Sequence, residues 1–327
     1  MKIERFQELR NQFSRQRLVV VGDVMLDTYY WGNVSRISPE APVPIVAIEE
    51  VDHRPGGAAN VAYNLHCLGA EVLLIGLAGR DSAGKQLEET LGKYGIRANL
   101  AHDKARPTTE KMRVIAGSQH VVRLDREATA PLSEGLVKDI YQSAAKELAQ
   151  SQGLILQDYN KGVLSVELIE KLKDQAKKLD IPVFVDPKTA NLESYRGATL
   201  IKPNIREAEH FVRRSLSTDD EIRGAGEELR ERLQAEVVLI TRGSRGMDLF
   251  DRQGSHRIPT RARKVADVCG AGDTVLSTYT LALVAGAEPG EAADLANFAA
   301  GSVVEEMGIV PVTPERLEGL LNHHASQ

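Results

Sequence analysis

Six short runs of apolar, largely β-branched residues recur along the chain and alternate with patterns typical of amphipathic helices. The runs lie at residues 18–21, 72–77, 154–156, 183–185, 199–201 and 237–240. The helical patterns lie at 58–68, 84–94, 133–149, 165–179, 205–213 and 219–233. Because strands that are apolar on both faces must be covered on both faces, this alternation favours right-handed βαβ units. It predicts an α/β fold with a mostly parallel, doubly wound sheet.

Two stretches interrupt that alternation. Residues 29–34 and 43–51 look like short alternating strands around the loop 36–42, and residues 111–116 with 120–124 look like a hairpin. Inserted strands of this kind predict a small β lid on the α/β body, formed within about 29–51 and 111–124. The remaining segments, 271–285, 289–306 and 314–321, read as helices. One domain over residues 1–327, without internal repeats, is the expectation.

Charge and composition exclude several classes of function. The net charge of −5 argues against nucleic-acid binding, which needs a basic surface to replace phosphate counterions. No run approaches the roughly 18 apolar residues of a membrane span, and residues 1–17 lack the apolar core of a signal peptide. Cys67 and Cys269 are not part of a cluster with zinc spacing. We therefore expect a cytoplasmic protein that binds neither nucleic acid nor membrane.

Residues 267–274 (DVCGAGDT) and the apolar stretch after them carry the strongest chemical signal. Gly270, Ala271 and Gly272 can direct backbone N–H groups toward one point at a helix N-terminus, which predicts an anion hole. Asp273 would repel a phosphate there, so its presence suggests that it takes the proton from a hydroxyl that attacks the γ-phosphate of ATP. The alternative is an Asp in the first helical turn that the helix dipole stabilises.

The same segment resembles the C-terminal signature of the ribokinase (PfkB) family of carbohydrate kinases. Further resemblances follow in the family's order at residues 22–27 (GDVMLD), 56–62 (GGAANVA), 186–188 (DPK), 203–207 (PNIRE) and 241–246 (TRGSRG). The resemblance implies a three-layer α/β/α ribokinase-like sandwich with a small β lid. It also implies ATP as co-substrate, Asp273 as catalytic base and Mg²⁺ as cofactor, and it raises the question of a monovalent cation.

A narrower resemblance rests on residues 35–44 (SRISPEAPVP), 54–62 (RPGGAANVA), 123–125 (RLD), 158–162 (DYNKG) and 195–199 (YRGAT). These resemble bacterial kinases that phosphorylate D-glycero-β-D-manno-heptose 7-phosphate at O1, a step toward ADP-heptose and the lipopolysaccharide core. Many of those chains continue into a nucleotidyltransferase domain. Here no His-x-Gly-His motif is seen, so we expect a separate nucleotidyltransferase to act later in the pathway.

Two other functions stay open. One is a kinase of the same family for another sugar or sugar phosphate, which would differ in the lid and in its basic residues. The other is a sugar-responsive binding protein that has lost catalysis. The retention of Asp273 within the whole glycine signature argues against this second alternative.

The sugar side is assigned through the family resemblance. Asp23, Asp27 and Asn60, with Gly56 and Gly57, are the expected sugar ligands, since carboxylates accept hydrogen bonds and an amide does both. A turn residue that closes a strand is the alternative for Asp23. A sugar phosphate would also need a cationic cradle, although any single member could be an ordinary surface cation. The candidates, near strand ends or in the lid, are Arg36, Lys111, Arg113, Arg123, Lys161 and Lys188, with Asp158 beside Lys161.

The nucleotide side is expected at Thr241, Gly243 and Gly246, with adenine on an apolar surface that reaches the helix containing Asn297. Asn204 and Glu207 are three residues apart at a helix start and can face one side. An amide and a carboxylate there would hold Mg²⁺ through water beside ATP. A capping box is the alternative, and the local sequence alone does not decide between them. The family resemblance favours the metal.

Position 269 and the edges of the lid strands lead to two further predictions. Position 269 is Cys where the family signature more often has Thr or another small residue. If backbone N–H groups bind the phosphates, this is a neutral replacement, and we favour that interpretation. Lid strands with exposed edges could pair between two subunits, which suggests a homodimer.

Overall fold

The computed structural model describes residues 1–117, 119–262, 264–306 and 308–325. The strands are β1 Arg17–Gly22, β2 Val24–Ile37, β3 Pro44–Gly57, β4 Glu71–Gly79, β5 Ala98–Asp103, β6 Glu110–Ala116, β7 Gln119–Arg126, β8 Gly153–Gln157, β9 Val183–Asp186, β10 Leu200–Ile201, β11 Val237–Thr241, β12 Met247–Asp251 and β13 Gly254–Ile258. The helices are α1 Ile3–Phe13, α2 Ala58–Cys67, α3 Ser82–Lys93, α4 Glu134–Leu148, α5 Val166–Lys178, α6 Ile205–Val212, α7 Asp219–Arg232, α8 Ala271–Val284, α9 Pro289–Val303 and α10 Pro314–Ala325. Short 3₁₀ helices span Thr189–Tyr195 and Gly243–Arg245.

The main sheet has the order β13-β12-β11-β10-β9-β8-β1-β4-β5. Pairing is parallel from β11 to β5, while β12 and β13 add antiparallel strands at one edge. One apolar core lies on each face, between the sheet and its helices. The predicted three-layer α/β/α sandwich is confirmed. The sequence reading missed β5 and β13 at the two sheet edges and β12 next to β13, which carry more polar residues than the central strands.

A second sheet of order β3-β2-β6-β7 forms the predicted lid. The strands β2 and β3 each have 14 residues, so the predicted bounds of 29–34 and 43–51 were too short. Residues 24–29 of β2 and 55–57 of β3 are buried where the lid joins the body, and polar residues such as Asp27 and Thr28 are buried there with apolar ones. Burial on both faces removes the alternation on which that prediction depended.

The N-terminal helix α1 buries its Phe6, Leu9 and Phe13 against the core. Its other face is charged, as in Arg5, which binds Glu291 at the start of α9. Within the described ranges, no helix is both long and apolar enough to cross a membrane.

Because β1 and β8 to β11 are parallel, their carboxyl ends meet at one edge of the sheet, where ligands bind in open α/β folds.

Candidate active site

Asp273 lies in the first turn of α8 and is only 4% exposed. The Asn60 amide donates to its Oδ2 over 2.8 Å. Two further groups donate to Oδ1, the Gln157 amide over 3.1 Å and the Tyr159 hydroxyl over 2.8 Å. These donors come from α2 and from the end of β8, elements far apart in sequence. The fold therefore holds the carboxylate from both sides.

The electrostatic environment of Asp273 is unusual for a carboxylate. Its pKa is raised to about 6, mainly by burial and in part by the carboxylate of Asp186, while hydrogen bonds from Asn60 and Tyr159 and the charge of Lys202 oppose the rise. A carboxylate with this pKa is ionised at pH 7 and is more basic than an exposed one. It is therefore suited to accept a proton.

Gly270, Ala271 and Gly272 form the start of α8, and Gly270 has a left-handed φ of 75°. A Cβ at Gly270 would lie 2.8 Å from the side-chain nitrogen of Asn60, so a larger residue would disturb the hydrogen bond to Asp273. The first N–H groups of a helix have no partner within it and point along the axis. The predicted anion hole thus lies directly beside Asp273.

Lys202 is a functional candidate that sequence reasoning missed. It follows β10, is 3% exposed, and forms an ion pair with Oδ2 of Asp186 at 2.9 Å. A Cβ built on Gly272 would lie 3.5 Å from its Nζ, so the ammonium lies over the anion hole. An ionisable residue directly after a buried strand, at the carboxyl edge of the sheet, was the signal that could have identified it.

Sequence reasoning also did not predict that Gln157 and Tyr159 contact Asp273. Gln157 is the last residue of β8, fully buried, and its amide reaches both Asp273 and Asp186 at 3.1 Å. A glutamine inside a buried strand is itself a signal, because buried polar groups need partners. Tyr159 lies within residues 158–162, which carry the narrower resemblance, but nothing in the sequence shows where its hydroxyl points.

The structure brings Cys269 close to Asp267 and the anion hole. The Cys269 backbone N–H donates to Asp267 over 3.0 Å. Burial and a hydrogen bond to Asp267 raise the pKa of the Cys269 thiol to about 11, so the thiol stays neutral. A neutral side chain leaves the phosphate-binding geometry to the backbone, in line with the neutral interpretation of this replacement.

Asn204 and Glu207 form the capping box that the sequence left open as an alternative. The Asn204 side chain accepts from the Glu207 N–H over 3.0 Å, and Glu207 Oε2 accepts from the Asn204 N–H over 2.8 Å. Glu207 Oε1 is bound by Lys188, whose Nζ also lies 5.4 Å from the centre of the Tyr159 ring. The structure thus places Lys188 beside Glu207 and Tyr159, whereas Lys111 and Lys161 pair with Glu127. The metal role of Asn204 and Glu207 stays a prediction.

The predicted nucleotide residues line one cavity of about 340 Å³. Thr241, Gly243 and Gly246 form one side, and Asn297, held by a 2.6 Å hydrogen bond to the Pro259 carbonyl, lies on the other. Ala271 and Gly272 of the anion hole line the same cavity, so a nucleotide there would direct its phosphates toward Asp273. Larger grooves of about 870 and 740 Å³ lie around the 3₁₀ helix Thr189–Tyr195 and contain none of the predicted site residues.

Asp27 and Arg113 meet as a buried ion pair where the lid joins the body. A Cβ on Gly56 would lie 2.2 Å from the Asp27 carboxylate, which explains the glycine. Gly57, with a φ of 58°, directs the chain from β3 into α2 and so positions Asn60. The structure therefore groups four residues predicted on the sugar side at the base of the lid, namely Asp27, Gly56, Gly57 and Asn60.

Shared carboxylates connect three of the candidate cations, Lys111, Lys161 and Arg123. Lys111 and Lys161 converge on Glu127, with Nζ to carboxylate distances of 3.8 and 2.7 Å, and Lys111 also binds Asp125 at 3.2 Å. Arg123 is 58% exposed and binds Asp125 in its own strand, and Arg36 is exposed near the far end of β2. The structure does not bring Arg36 into the cradle.

Asp23 and Asp158 have structural partners throughout. Asp23 accepts three backbone hydrogen bonds from the loop after β8, from the N–H groups of Tyr159, Lys161 and Val163 at 2.8 to 3.1 Å. Asp158 is fully buried, and its Oδ2 accepts from the Tyr195 hydroxyl over 2.7 Å. These partners account for the burial of Asp158, and its contact with the substrate stays a prediction. A sugar contact for Asp23 stays a prediction.

A buried carboxylate beside the predicted anion hole, between a nucleotide-sized cavity and a polar lid, is the arrangement expected of a phosphotransferase that acts on a hydroxyl group. A family model described as pfkB family carbohydrate kinase matches residues 15–316. The chain belongs to this family. It is a phosphotransferase that acts on a sugar hydroxyl with ATP as co-substrate, and such enzymes usually use a divalent metal.

Similar proteins include D-beta-D-heptose 7-phosphate kinase of Bordetella bronchiseptica, 42% identical over 94% of this chain and 97% of that protein. Bifunctional protein HldE of Proteus mirabilis is 43% identical, and the match covers 96% of this chain and 65% of that protein. Phosphofructokinase-2 of Escherichia coli, crystallised with potassium, has a TM-score of 0.80 at 21% identity over 95% of this chain and 99% of that one. The last likeness concerns the fold.

Proposed function

We propose that the protein transfers the γ-phosphoryl group of ATP to O1 of D-glycero-β-D-manno-heptose 7-phosphate and so produces the 1,7-bisphosphate. The observation that carries this proposal is the position of Asp273, buried between the nucleotide cavity and the lid. The name and similarity of the Bordetella bronchiseptica kinase support the choice of sugar.

In the proposed reaction, the acceptor hydroxyl gives its proton to Asp273 while its oxygen attacks the γ-phosphorus. The bond between that phosphorus and the ADP oxygen breaks, and the negative charge passes to ADP. The first N–H groups of α8, and the Lys202 ammonium beside Gly272, would face the transferred group and stabilise its charge. Most of the catalysis is then positioning and electrostatics, with one proton transfer.

The metal part of the proposal rests on Asn204 and Glu207. Oxygen donors suit Mg²⁺, and both Glu207 oxygens already have protein partners, so water-mediated binding fits better than direct ligation. Mg²⁺ would supply charge neutralisation for the ATP phosphates. A monovalent cation near the anion hole is a further proposal, suggested by the potassium in the phosphofructokinase-2 structure.

The substrate phosphate is proposed to bind Lys111 and Lys161. Both side chains are only 16% exposed and share the carboxylate of Glu127, so their charges are held close together. A phosphate could replace Glu127 as the shared anion, because contacts between ammonium groups and phosphate are charge-assisted. This geometry would serve any phosphorylated sugar of suitable length, so another sugar phosphate is the second candidate substrate.

The test compares kcat/KM for heptose, heptose 7-phosphate and a panel of sugar 6- and 1-phosphates. We expect heptose 7-phosphate to be preferred, and Lys111→Met with Lys161→Met to reduce that preference. Lys171→Met is the matched control, since Lys171 forms an exposed ion pair on α5. Equal values for heptose and its 7-phosphate would reject the phosphate cradle, and preference for another sugar phosphate would change the substrate.

A homodimer formed through the lid is part of the proposal. Val51, Tyr30, Val114 and Val122 lie in register across all four lid strands and so share one face. Val51 is 45% exposed and Val122 44% exposed, and Leu124 on the same face is 51% exposed. A second copy would cover this apolar face.

The extent of the kinase unit, a later enzyme and the cell compartment are also proposed. Residues 1–327 are proposed to act as one kinase unit, and a nucleotidyltransferase to act on the product in a later step. The chain spans 65% of the length of Bifunctional protein HldE, the bifunctional relative described above. Cys67 and Cys269 are both free, which favours a reducing compartment such as the cytoplasm.

A further inference from the structure

The two oxygens of the Asp273 carboxylate have different surroundings. Oδ1 accepts two hydrogen bonds, from the Tyr159 hydroxyl at 2.8 Å and the Gln157 amide at 3.1 Å. Oδ2 accepts one, from Asn60 at 2.8 Å. Because each carboxylate oxygen has about two lone-pair positions, Oδ1 is saturated and Oδ2 can accept one further bond. The acceptor hydroxyl of a substrate therefore has one oxygen to which it can donate.

We propose that Tyr159, assisted by Gln157, is a positioning residue that saturates Oδ1 of Asp273 and leaves Oδ2 to receive the substrate's proton. This inference rests on the proposed role of Asp273 as the base. It does not depend on which sugar is bound. It predicts a specific function for Tyr159 beyond filling space.

The surroundings of Tyr159 hold its hydroxyl in place. Its backbone N–H donates to Asp23 over 2.8 Å, and the Lys188 ammonium lies 5.4 Å from its ring centre. Burial and the nearby carboxylates of Asp273 and Asp186 raise the pKa of Tyr159 well above its usual value. The phenol therefore stays protonated and can act toward Asp273 as a donor.

Gln157 provides the second donor and connects Asp273 to the next carboxylate. Its Nε2 lies 3.1 Å from both Asp273 and Asp186, while its Oε1 is buried without a hydrogen-bond partner. An amide turned the other way would place Oε1 against two carboxylates, which is repulsive. The orientation of Gln157 is thus determined by the carboxylates that it joins.

Several charged groups act on this pair from the surrounding elements. Asp186 at the end of β9 and Lys202 after β10 act on Asp273 with opposite signs. Lys188 and Glu207 lie as an ion pair beside the Tyr159 ring. The buried pair of Asp27 and Arg113 faces the same space from the lid. Because these groups are unchanged in a Tyr159→Phe variant, a change in titration can be assigned to the lost hydroxyl.

The test is the pH profile of kcat/KM for Tyr159→Phe and for the unmodified protein. Removal of a donor to the ionised carboxylate raises its pKa, so the acid limb is expected to move upward by about one to two pH units. The loss of activity should then be large at pH 6 and smaller at pH 8, with little change in the Kd of ATP. A limb that does not move, with the same loss at every pH, would overturn the proposal.

Tyr195→Phe is the matched control, because Tyr195 also donates to a buried carboxylate, Asp158, at 2.7 Å. It should lower the melting temperature and leave the acid limb where it is. Gln157→Leu removes the second donor and should move the limb in the same direction as Tyr159→Phe.

Infrared titration of the Asp273 carboxyl, as the difference from Asp273→Asn, needs no substrate. It tests the role of Tyr159 even if heptose 7-phosphate is not the sugar. An Asp273 pKa that is equal with and without the Tyr159 hydroxyl would reject the inference by itself.

Discussion

The amide nitrogen of Asn60 lies 2.8 Å from Oδ2 of Asp273, although 213 residues separate them. Asn60 is in the helix that follows the lid strand β3, and Asp273 is in the first turn of α8, directly after the predicted anion hole. The bond therefore joins the predicted sugar-side segment to the predicted phosphate-side segment. Any shift of the lid that moves Asn60 also changes the surroundings of the base.

Asp273→Asn should remove most turnover, because an amide has a similar shape but cannot accept the proton. We expect kcat to fall by roughly 10²–10⁴. The Kd of ATP should stay equal or decrease, since a negative charge near the γ-phosphate is lost. In the unmodified protein, the base works when ionised, so kcat/KM should fall as the pH decreases through about 6. Kinetics with calorimetric ATP binding provide the check, and turnover within about threefold of the unmodified protein would contradict the catalytic role.

Glu207→Gln should raise the Mg²⁺ concentration needed for half-maximal rate, because it removes charge near the metal and the partner of Lys188. The capping box should survive, since Gln can also accept at that position. The matched control is Glu221→Gln, because Glu221 forms the same box with Thr218 at the start of α7. Similar melting temperatures for both variants, with an unchanged Mg²⁺ titration for Glu207→Gln, would make Glu207 structural.

Lys202→Met should lower kcat by about 10²–10³, the usual effect of removing one group that stabilises transition-state charge. The KM of ATP should change less, because the charge that Lys202 faces grows during transfer. Loss of the ion pair leaves Asp186 buried without its cation, so melting temperature must be recorded with the kinetics. Lys202→Arg keeps the charge and should be better folded. A folded Lys202→Met with full kcat would contradict the assignment.

Val122→Glu together with Leu124→Glu should prevent dimer formation through the lid, because two charges would be buried at the apolar face. Sedimentation velocity should then show a monomer where the unmodified protein shows a dimer. Val166→Glu is the control, since Val166 is 48% exposed on α5, away from the lid. An unmodified protein that is monomeric, or a double variant that still dimerises, would contradict the proposed interface.

Much of the fold could be predicted from local patterns. The central strands β1, β4, β8 and β11 are continuous apolar runs, since strands covered on both faces need apolar residues at every position. The glycine signature and Asp273 were identified for a related reason, because a turn into a helix N-terminus is a local property of the chain. Family resemblance then supplied the order of the segments.

Only the tertiary structure decided which polar groups meet. The local sequence of Asn204 and Glu207 permitted both a metal site and a helix cap. The structure shows the capping box and adds an ion pair between Glu207 and Lys188 that the sequence did not indicate. The sequence reading grouped Asp158 with the substrate ligands, although burial under the loop gives it other partners. The sequence contained no indication that Tyr159 and Asp273 touch. Hydrogen bonds between distant segments depend on the angles and spacing of packed elements, whereas helix and strand periodicity depends on neighbouring residues alone.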